Sequence, residues 1–181
     1  MHDMTAMNLR SAFGGESMAH MRYAIWAQQA RKEGFANVAR LFTAISLAEQ
    51  VHATGHFVAL TAVTGAFSVD AGAGFGLGST SQNLCGAIEG ENFEVNEMYP
   101  AYLAVAGAQS ERGAVRSMSY ALAAERIHAA MYAAAKQAVD SGQDVKLGTV
   151  QICMTCGHTI EGDAPDTCPI CNARKWTAFP A

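Results

Sequence analysis

Large aromatic residues are scarce in this chain, clusters of basic residues are missing, and no long uncharged apolar run occurs. Aromatics make up 8% of the 181 residues although half of the chain is hydrophobic. Alanine supplies much of that apolar total, which suits closely packed helices. The net charge of −4 is mild and no Lys/Arg cluster stands out, so nucleic acid is not an implied partner. The start of the chain, Met1-His2-Asp3-Met4, has no basic-then-apolar stretch of the kind that directs export. The longest weakly charged apolar run, around Phe57 to Val69, is too short and too rich in Gly and Thr to span a bilayer. The expectation is a cytoplasmic protein with no membrane partner, long enough for one ordinary domain plus a small appendage.

Cysteine is also sparse, but it is not scattered. Four of the five cysteines fall within residues 153–171 as two Cys-x-x-Cys pairs. Without an export signal, that clustering points to a metal site and not to a disulfide framework. Cys85 stands alone in a helical context, where a small buried apolar role is expected.

Helical periodicity dominates the first three quarters of the chain. Residues 5–33 read as a first helix, with Thr5 as a candidate N-cap and Gly34 as its stop. A second runs from about Ala36 to Thr64 and ends at Gly65, with apolar positions Val38, Leu41, Phe42, Ile45, Val51 and Leu60 spaced mostly by threes and fours. Residues 64–79 contain five glycines and no helical period, as a connection does when it must travel the length of a bundle. A third helix starts near Ser81 and runs through Glu91, Glu94 and Tyr99, with Pro100 expected to disturb it locally. A fourth spans roughly Glu111 to Ser141 and closes at Gly142. The fold class expected is mainly α, a four-helix bundle with one long crossover over residues 1–147. A separate cysteine-rich unit over 148–181 follows a short polar linker.

The chemistry lies in a repeat. Glu-x-x-His occurs twice, as Glu49-Gln-Val-His52 and Glu125-Arg-Ile-His128, and each copy follows a Gly-Glu pair, Gly15-Glu16 and Gly90-Glu91. Residues i and i+3 share a helical face, so each motif aims a carboxylate and an imidazole at one spot. Two further glutamates complete the ligand inventory of a two-metal site inside a bundle. Both motifs sit in apolar contexts, where a carboxylate is costly unless paired or metal-bound. The two motifs are offset by 76 residues and the Gly-Glu pairs by 75, as a duplicated helix pair would give.

Glu94 breaks the symmetry, standing one turn after Glu91 where the first half has Ala19 after Glu16. The candidate ligands are therefore Glu16, Glu49, His52, Glu91, Glu94, Glu125 and His128. An oxygen-rich set with two imidazoles suits iron or manganese more than zinc. Tyr23 and Tyr99, seven and eight residues beyond Glu16 and Glu91, are placed to donate hydrogen bonds to ligand carboxylates. His20 and His56, one turn beyond Glu16 and His52, are expected beside the site or at the surface. In the C-terminal unit, Cys153, Cys156, Cys168 and Cys171 can form a tetrahedral four-thiolate site. Gly157 permits the tight knuckle, and Trp176 and Phe179 supply the cover that so small a unit needs. Zinc and iron both remain open for this segment.

The order Gly15-Glu16, Glu49-x-x-His52, Gly90-Glu91-x-x-Glu94, Met98-Tyr99-Pro100 and Glu125-x-x-His128 is followed by Cys153-x-x-Cys156-Gly157, Glu161-Gly162-Asp163 and Cys168-Pro169-x-Cys171. That order resembles rubrerythrins over nearly the whole chain. The resemblance implies a ferritin-like bundle holding two irons in a carboxylate-bridged site, and a C-terminal rubredoxin-like domain holding one iron by four cysteines. It further implies an NAD(P)H-linked peroxidase that reduces hydrogen peroxide, with electrons from a reductase or rubredoxin. By that resemblance Glu49 and Glu125 bridge the irons, Glu16 and Glu94 bind the first, and Glu91 with His128 the second. His52 matches a ligand that replaces Glu94 on reduction, which makes Glu94, His52, Tyr23 and Tyr99 the catalytic candidates. Two departures accompany it, a Gly-rich stretch at 72–78 that looks like an insertion, and His20 where the family often has a basic residue.

A helix of roughly 28 residues is about 42 Å long, so a short linker is expected to leave the cysteine unit far from a central site. A head-to-tail homodimer would close that gap, and the long connection leaves exchange of helix pairs open. The alternative function is a ferritin-like ferroxidase that handles iron, against which the electron-carrying cysteine unit argues. A zinc-ribbon module on a helical scaffold is a third.

Overall fold

Alanine-rich helical faces and a single long crossover produce a ferritin-like four-helix bundle. The structure, a computed structural model, describes residues 1–60 and 62–181. Helix α1 spans Asp3–Lys32, α2 Ala36–Ala59, α3 Thr80–Phe93, α4 Tyr99–Ala108 and α5 Arg112–Asp140. A π-helical turn, Glu94–Met98, joins α3 to α4, so the two act as one bundle member. Among the described residues no helix is long and apolar enough to cross a membrane.

Boundaries differ from expectation in instructive ways. Thr5 is inside α1, not its cap, and its hydroxyl donates to Gln109 Oε1 at 2.5 Å. Gly34 closes α1 with φ +90°, a conformation glycine adopts without steric cost. Helix α2 stops at Ala59, short of Gly65, where the chain turns through Leu60 and Val63. Thr61, within the expected helix, lies outside the described residues. The β-branched Val63 and Thr64 lose rotamer freedom in a helix and favour this early exit. Ser79 and Gln82 form a reciprocal capping box at the start of α3.

The connection from residue 62 to 79 runs the length of α1. Arg10 stacks over Phe67, Ser11 donates to Asp70 O at 2.8 Å, Trp26 Nε1 donates to Gly76 O at 3.0 Å, and Glu33 accepts from Thr80 N.

The π turn explains an arithmetic slip in the repeat. Tyr99 N–H bonds to Glu94 O, an i to i+5 span that absorbs one extra residue. The Gly-Glu pairs are offset by 75 while Tyr23/Tyr99 and Glu49/Glu125 are offset by 76. The added residue therefore lies between Glu91 and Tyr99, where the π turn is found, just before Pro100. Proline cannot donate to the preceding turn, and the wider turn accommodates that loss.

The C-terminal unit is a three-stranded antiparallel sheet, β1 Val150–Cys153, β2 Thr159–Glu161 and β3 Trp176–Phe179, in order β2-β1-β3. Its path corrects the expectation of a remote appendage. Residues 142–149 are not a loose tether. Asp144 caps α2 by accepting from Asn37 N and Val38 N at 2.7 and 3.2 Å. Arg40 donates to the carbonyls of Leu147, Gly148 and Phe179. The chain is thereby turned back along the bundle, and Val150 and Ile152 bury against Ala44 and Ala48 of α2 with Phe179 over them. The cysteine unit consequently sits over the middle of α2 and α5 in the same chain. The long separation expected between the two units within one chain is therefore not found.

Candidate metal centres

Two overlapping clusters of side chains meet in the bundle. Glu16, Glu49, His52 and Glu125 form one, and Glu49, Glu91, Glu125 and His128 the other, with ligand atoms of each cluster within 4.8 Å of one another. Glu49 and Glu125 belong to both. Every one of these six residues is at most 3% exposed. Glu94 is in neither cluster; it opens the π turn and is half-buried.

The hydrogen bonds show what such a cage is built for. Each glutamate has one oxygen bonded by the protein and one left over. Tyr99 donates to Glu16 Oε1, His52 Nδ1 to Glu49 Oε2 at 2.9 Å, Tyr23 to Glu91 Oε1 at 2.8 Å, and His128 Nδ1 to Glu125 Oε2 at 2.7 Å. Glu16 Oε2, Glu49 Oε1, Glu91 Oε2 and Glu125 Oε1 are buried without a hydrogen bond. Their nearest positive groups are the histidine Nδ1 atoms, 2.8 Å from Glu125 Oε1, 3.4 Å from Glu49 Oε1 and 3.6 Å from Glu91 Oε2, and so many buried carboxylates call for further cations to balance them. The donor set of oxygens with two imidazoles fits a carboxylate-bridged pair of irons.

Electrostatics report the same frustration. Burial and then Glu49 push Glu16 above its usual range, and burial with Glu49 and Glu91 pushes Glu125 well above it. Burial and Glu16 likewise drive Glu94 well up. Glu49 is lowered, because hydrogen bonds from His128 and His52 outweigh burial and Glu91. Burial alone would lower His52, but Glu49 and the surrounding carboxylates raise it from 6.5 to about 9. Two histidine protons thus stand in for the charge of a metal.

The tyrosines pair across the repeat. Tyr23 of the first half serves Glu91 of the second, and Tyr99 serves Glu16. Burial and the adjacent glutamate raise both phenols well above their ordinary value, which keeps them as donors.

The second centre lies beside the first. Cys153 Sγ is 3.5 Å from Cys171 Sγ, and Cys156 Sγ is 3.6 Å from Cys168 Sγ. Sulfurs about 3.8 Å apart are what a tetrahedron with metal–sulfur bonds of about 2.3 Å requires. The set fits a rubredoxin-type iron. Trp176 packs on these cysteines together with Tyr120 of α5.

The knuckle also touches the cage. Gly157 (φ +76°) abuts His52, so that a Cβ there would lie 2.5 Å from His52 Cδ2 and closer still to Nε2. Thr159 Oγ1 is 2.8 Å from His128 Nε2 and donates to Gly157 O at 3.0 Å. Thus His128 Nε2, Thr159 and the Gly157 carbonyl form a bonded chain that ends one residue from Cys156.

His56 takes the first of its two expected places, beside the site, where it is fully buried and bonded to Tyr99 and Ser117. His20 is half-buried and tied to Ser46 of α2, one turn before Glu49. Cys85 is exposed, not buried, with its thiol 3.5 Å from Glu89. Thr159, Ser117 and Arg40 had no sequence signal, because each acts only through a neighbour brought by the fold.

Comparison with known proteins agrees with this geometry. The family model described as Rubrerythrin matches residues 7–136, and the model for the rubrerythrin rubredoxin-like domain matches residues 151–177. Rubrerythrin-2 of Clostridium acetobutylicum is 46% identical over 172 residues, 95% of this chain and 94% of that protein. Nigerythrin of Nitratidesulfovibrio vulgaris is 32% identical, over 96% of this chain and 84% of its own. A solved structure of nigerythrin in its fully reduced, all-ferrous state superposes with a TM-score of 0.84 at 31% identity, covering 99% of this chain and 88% of that one. With the cage, the four-thiolate knuckles and matches across both units, the chain belongs to the rubrerythrin family.

Proposed function

We propose that this protein is a cytoplasmic di-iron peroxidase that reduces hydrogen peroxide to water, with electrons relayed through its four-cysteine iron. The observation that carries the proposal is the contact of the cysteine knuckle with both cage histidines, Gly157 on His52 and Thr159 on His128. A storage protein has no use for an electron-carrying unit seated on its metal cage, which disfavours ferroxidase activity as the main role. When bound, the paired irons supply electrons and Lewis acidity to the oxygen–oxygen bond.

The chain's own residues have distinct tasks. Glu49 and Glu125, common to both clusters, are assigned as bridging ligands, Glu16 to one side, and Glu91 with His128 to the other. Tyr23 and Tyr99 hold Glu91 and Glu16 in orientation by one oxygen each, leaving the other for metal. His52 inside the cage with Glu94 outside is assigned as one of two ligand states. Glu94 would offer an anionic oxygen suited to ferric iron where His52 would offer a neutral nitrogen suited to ferrous, so the pair would serve the two oxidation states. The domain boundary is placed at residues 147/148. NAD(P)H is proposed as the ultimate reductant through a separate reductase or rubredoxin, and a homodimer as the assembly.

The direct test is peroxide consumption by protein purified without air, with iron content and visible spectrum measured on the same sample. Peroxide consumed in step with oxidation of a reductase, with iron in both centres, supports the assignment. Zinc in the cysteines, or dioxygen-driven iron deposition without peroxide turnover, rejects it. A second prediction concerns the exchange. Glu94→Ala and His52→Ala are each expected to slow turnover by about a hundredfold, the scale of losing a ligand-orienting group. Undiminished rates in both would remove the exchange from the mechanism.

A further inference from the structure

Reduction of peroxide to water needs protons as well as electrons, and the cage is closed off from bulk solvent. All six cluster residues are at most 3% exposed, so protons must reach them through the protein. One continuous chain of side chains makes that connection. Ser117 Oγ is 2.9 Å from His56 Nδ1, His56 Nε2 is 2.9 Å from Tyr99 Oη, and Tyr99 donates to Glu16 Oε1. His56 and Tyr99 are fully buried, whereas Ser117 is half-buried. Ser117 also lines a surface pocket of about 700 Å³ between α2, α5 and the first cysteine knuckle.

We propose that Ser117, His56 and Tyr99 form a proton relay from this pocket to Glu16 at the edge of the cage. The inference rests on the peroxidase assignment only for the use of the protons; the route itself stands on the bonded chain. The donors align inward with a neutral imidazole carrying its proton on Nε2. Ser117 O–H donates to Nδ1, Nε2–H to the tyrosine oxygen, and Tyr99 O–H to the carboxylate. In one pass, a solvent proton carried by pocket water passes to Ser117 as Ser117 passes its own to His56 Nδ1. Nε2 gives its proton to Tyr99, and Tyr99 gives its own to Glu16. One proton enters, one is delivered, and no residue of the relay gains net charge. The hydroxyls and imidazole then reorient for the next pass.

Gly55 guards the outer end. It lines the same pocket, and a Cβ there would lie 3.0 Å from Ser117 Oγ.

The test uses the full chain loaded with iron. Proton uptake during chemical reduction is followed with a pH indicator, alongside single-turnover oxidation by peroxide in light and heavy water. Ser117→Ala is expected to slow proton uptake by about tenfold and enlarge the solvent isotope effect. His56→Ala is expected to slow it by about a hundredfold, the lower end of what a positioned proton-transfer group contributes, with partial recovery on adding imidazole. In the metal-free protein, nitrogen NMR is expected to find the His56 proton on Nε2. Uptake at the parent rate in iron-loaded Ser117→Ala and His56→Ala overturns the relay, as does a His56 proton held on Nδ1. If His56→Ala does not load iron, Ser117→Ala decides alone. If the parent consumes no peroxide, the peroxidase assignment fails separately, and proton uptake on reduction still judges the relay.

Discussion

Replacing Gly157 by alanine is expected to uncouple the two metal centres while leaving both able to bind iron. The residue has φ +76°, so a side chain there costs about 1–2 kcal/mol in backbone strain alone. The new methyl would also press into the His52 ring, 2.5 Å from Cδ2. That ring is held between Glu49 and Glu125 by ion pairs at 2.9 and 2.8 Å, which resist its displacement by the methyl. The knuckle must therefore lift, taking Thr159 from His128 and widening the gap between the cysteine iron and the cage. The lost Thr159–His128 bond and the wider gap are both expected to slow electron transfer between the centres severalfold. Gly162→Ala is the control. Gly162 has φ +95° in the same small unit but nothing within 4 Å of the added methyl. It should show the strain without the lift, losing about 1 kcal/mol of stability with transfer between centres intact. Stopped-flow reduction, following the visible band of the four-cysteine iron against that of the cage, separates the two variants. Equal transfer rates in Gly157→Ala and the parent would mean that the contact is not the electron route.

How much of this was legible beforehand depends on whether a residue acts through its own spacing or through a neighbour. The ligands were legible because the i, i+3 period of Glu49/His52 and Glu125/His128 is a local property of a helix. The tyrosines were legible as donors but not as a crossed pair. That Tyr23 serves Glu91, and not Glu16 on its own helix, follows from how the two halves face each other. The π turn was present in the sequence as the slip from 75 to 76 between repeat offsets, a signal readable only with Tyr99 taken as an anchor. The seating of the cysteine unit was hidden. It depends on Arg40 reaching three carbonyls and on Asp144 capping α2, contacts between residues about a hundred positions apart. A linker length estimated from α5 alone pointed outward; the cap turns it back. His56 looked like one more polar residue near a motif, and only burial against Tyr99 and Ser117 gives it a task.

Removing the metals should leave a protein whose stability falls as pH rises, the opposite of ordinary acid unfolding. Glu16, Glu94 and Glu125 are all raised, first by burial and then by neighbouring carboxylates. A raised carboxyl contributes stability that is complete below its ordinary value of 4.5 and disappears as pH climbs through its folded value. The raised histidines act in the same direction. His52 moves from 6.5 to about 9, so its proton contributes about 3 kcal/mol that is complete below 6.5 and lost by about 9. His128 is raised as well. Glu49 alone runs the other way, being lowered. The sum is a decline between about pH 5 and about pH 9 in the metal-free protein. Iron replaces these protons as the counter-charge, so the loaded protein should show a much flatter profile, and the stabilisation by metal should grow with pH. Urea midpoints of both forms at about pH 5.5, 7.0 and 8.5 measure this directly. A metal-free midpoint that is flat or rises across that range contradicts the assignment of the cage as a set of carboxylates held together by cations. Glu125→Gln sharpens the comparison. It keeps an oxygen for His128 but removes one charge from the cage, so at high pH the metal-free variant should be more stable than the metal-free parent while binding iron more weakly. The cage is thus unstable by design until its metals arrive, and the same frustrated carboxylates that weaken the empty fold are those that hold iron in the working one.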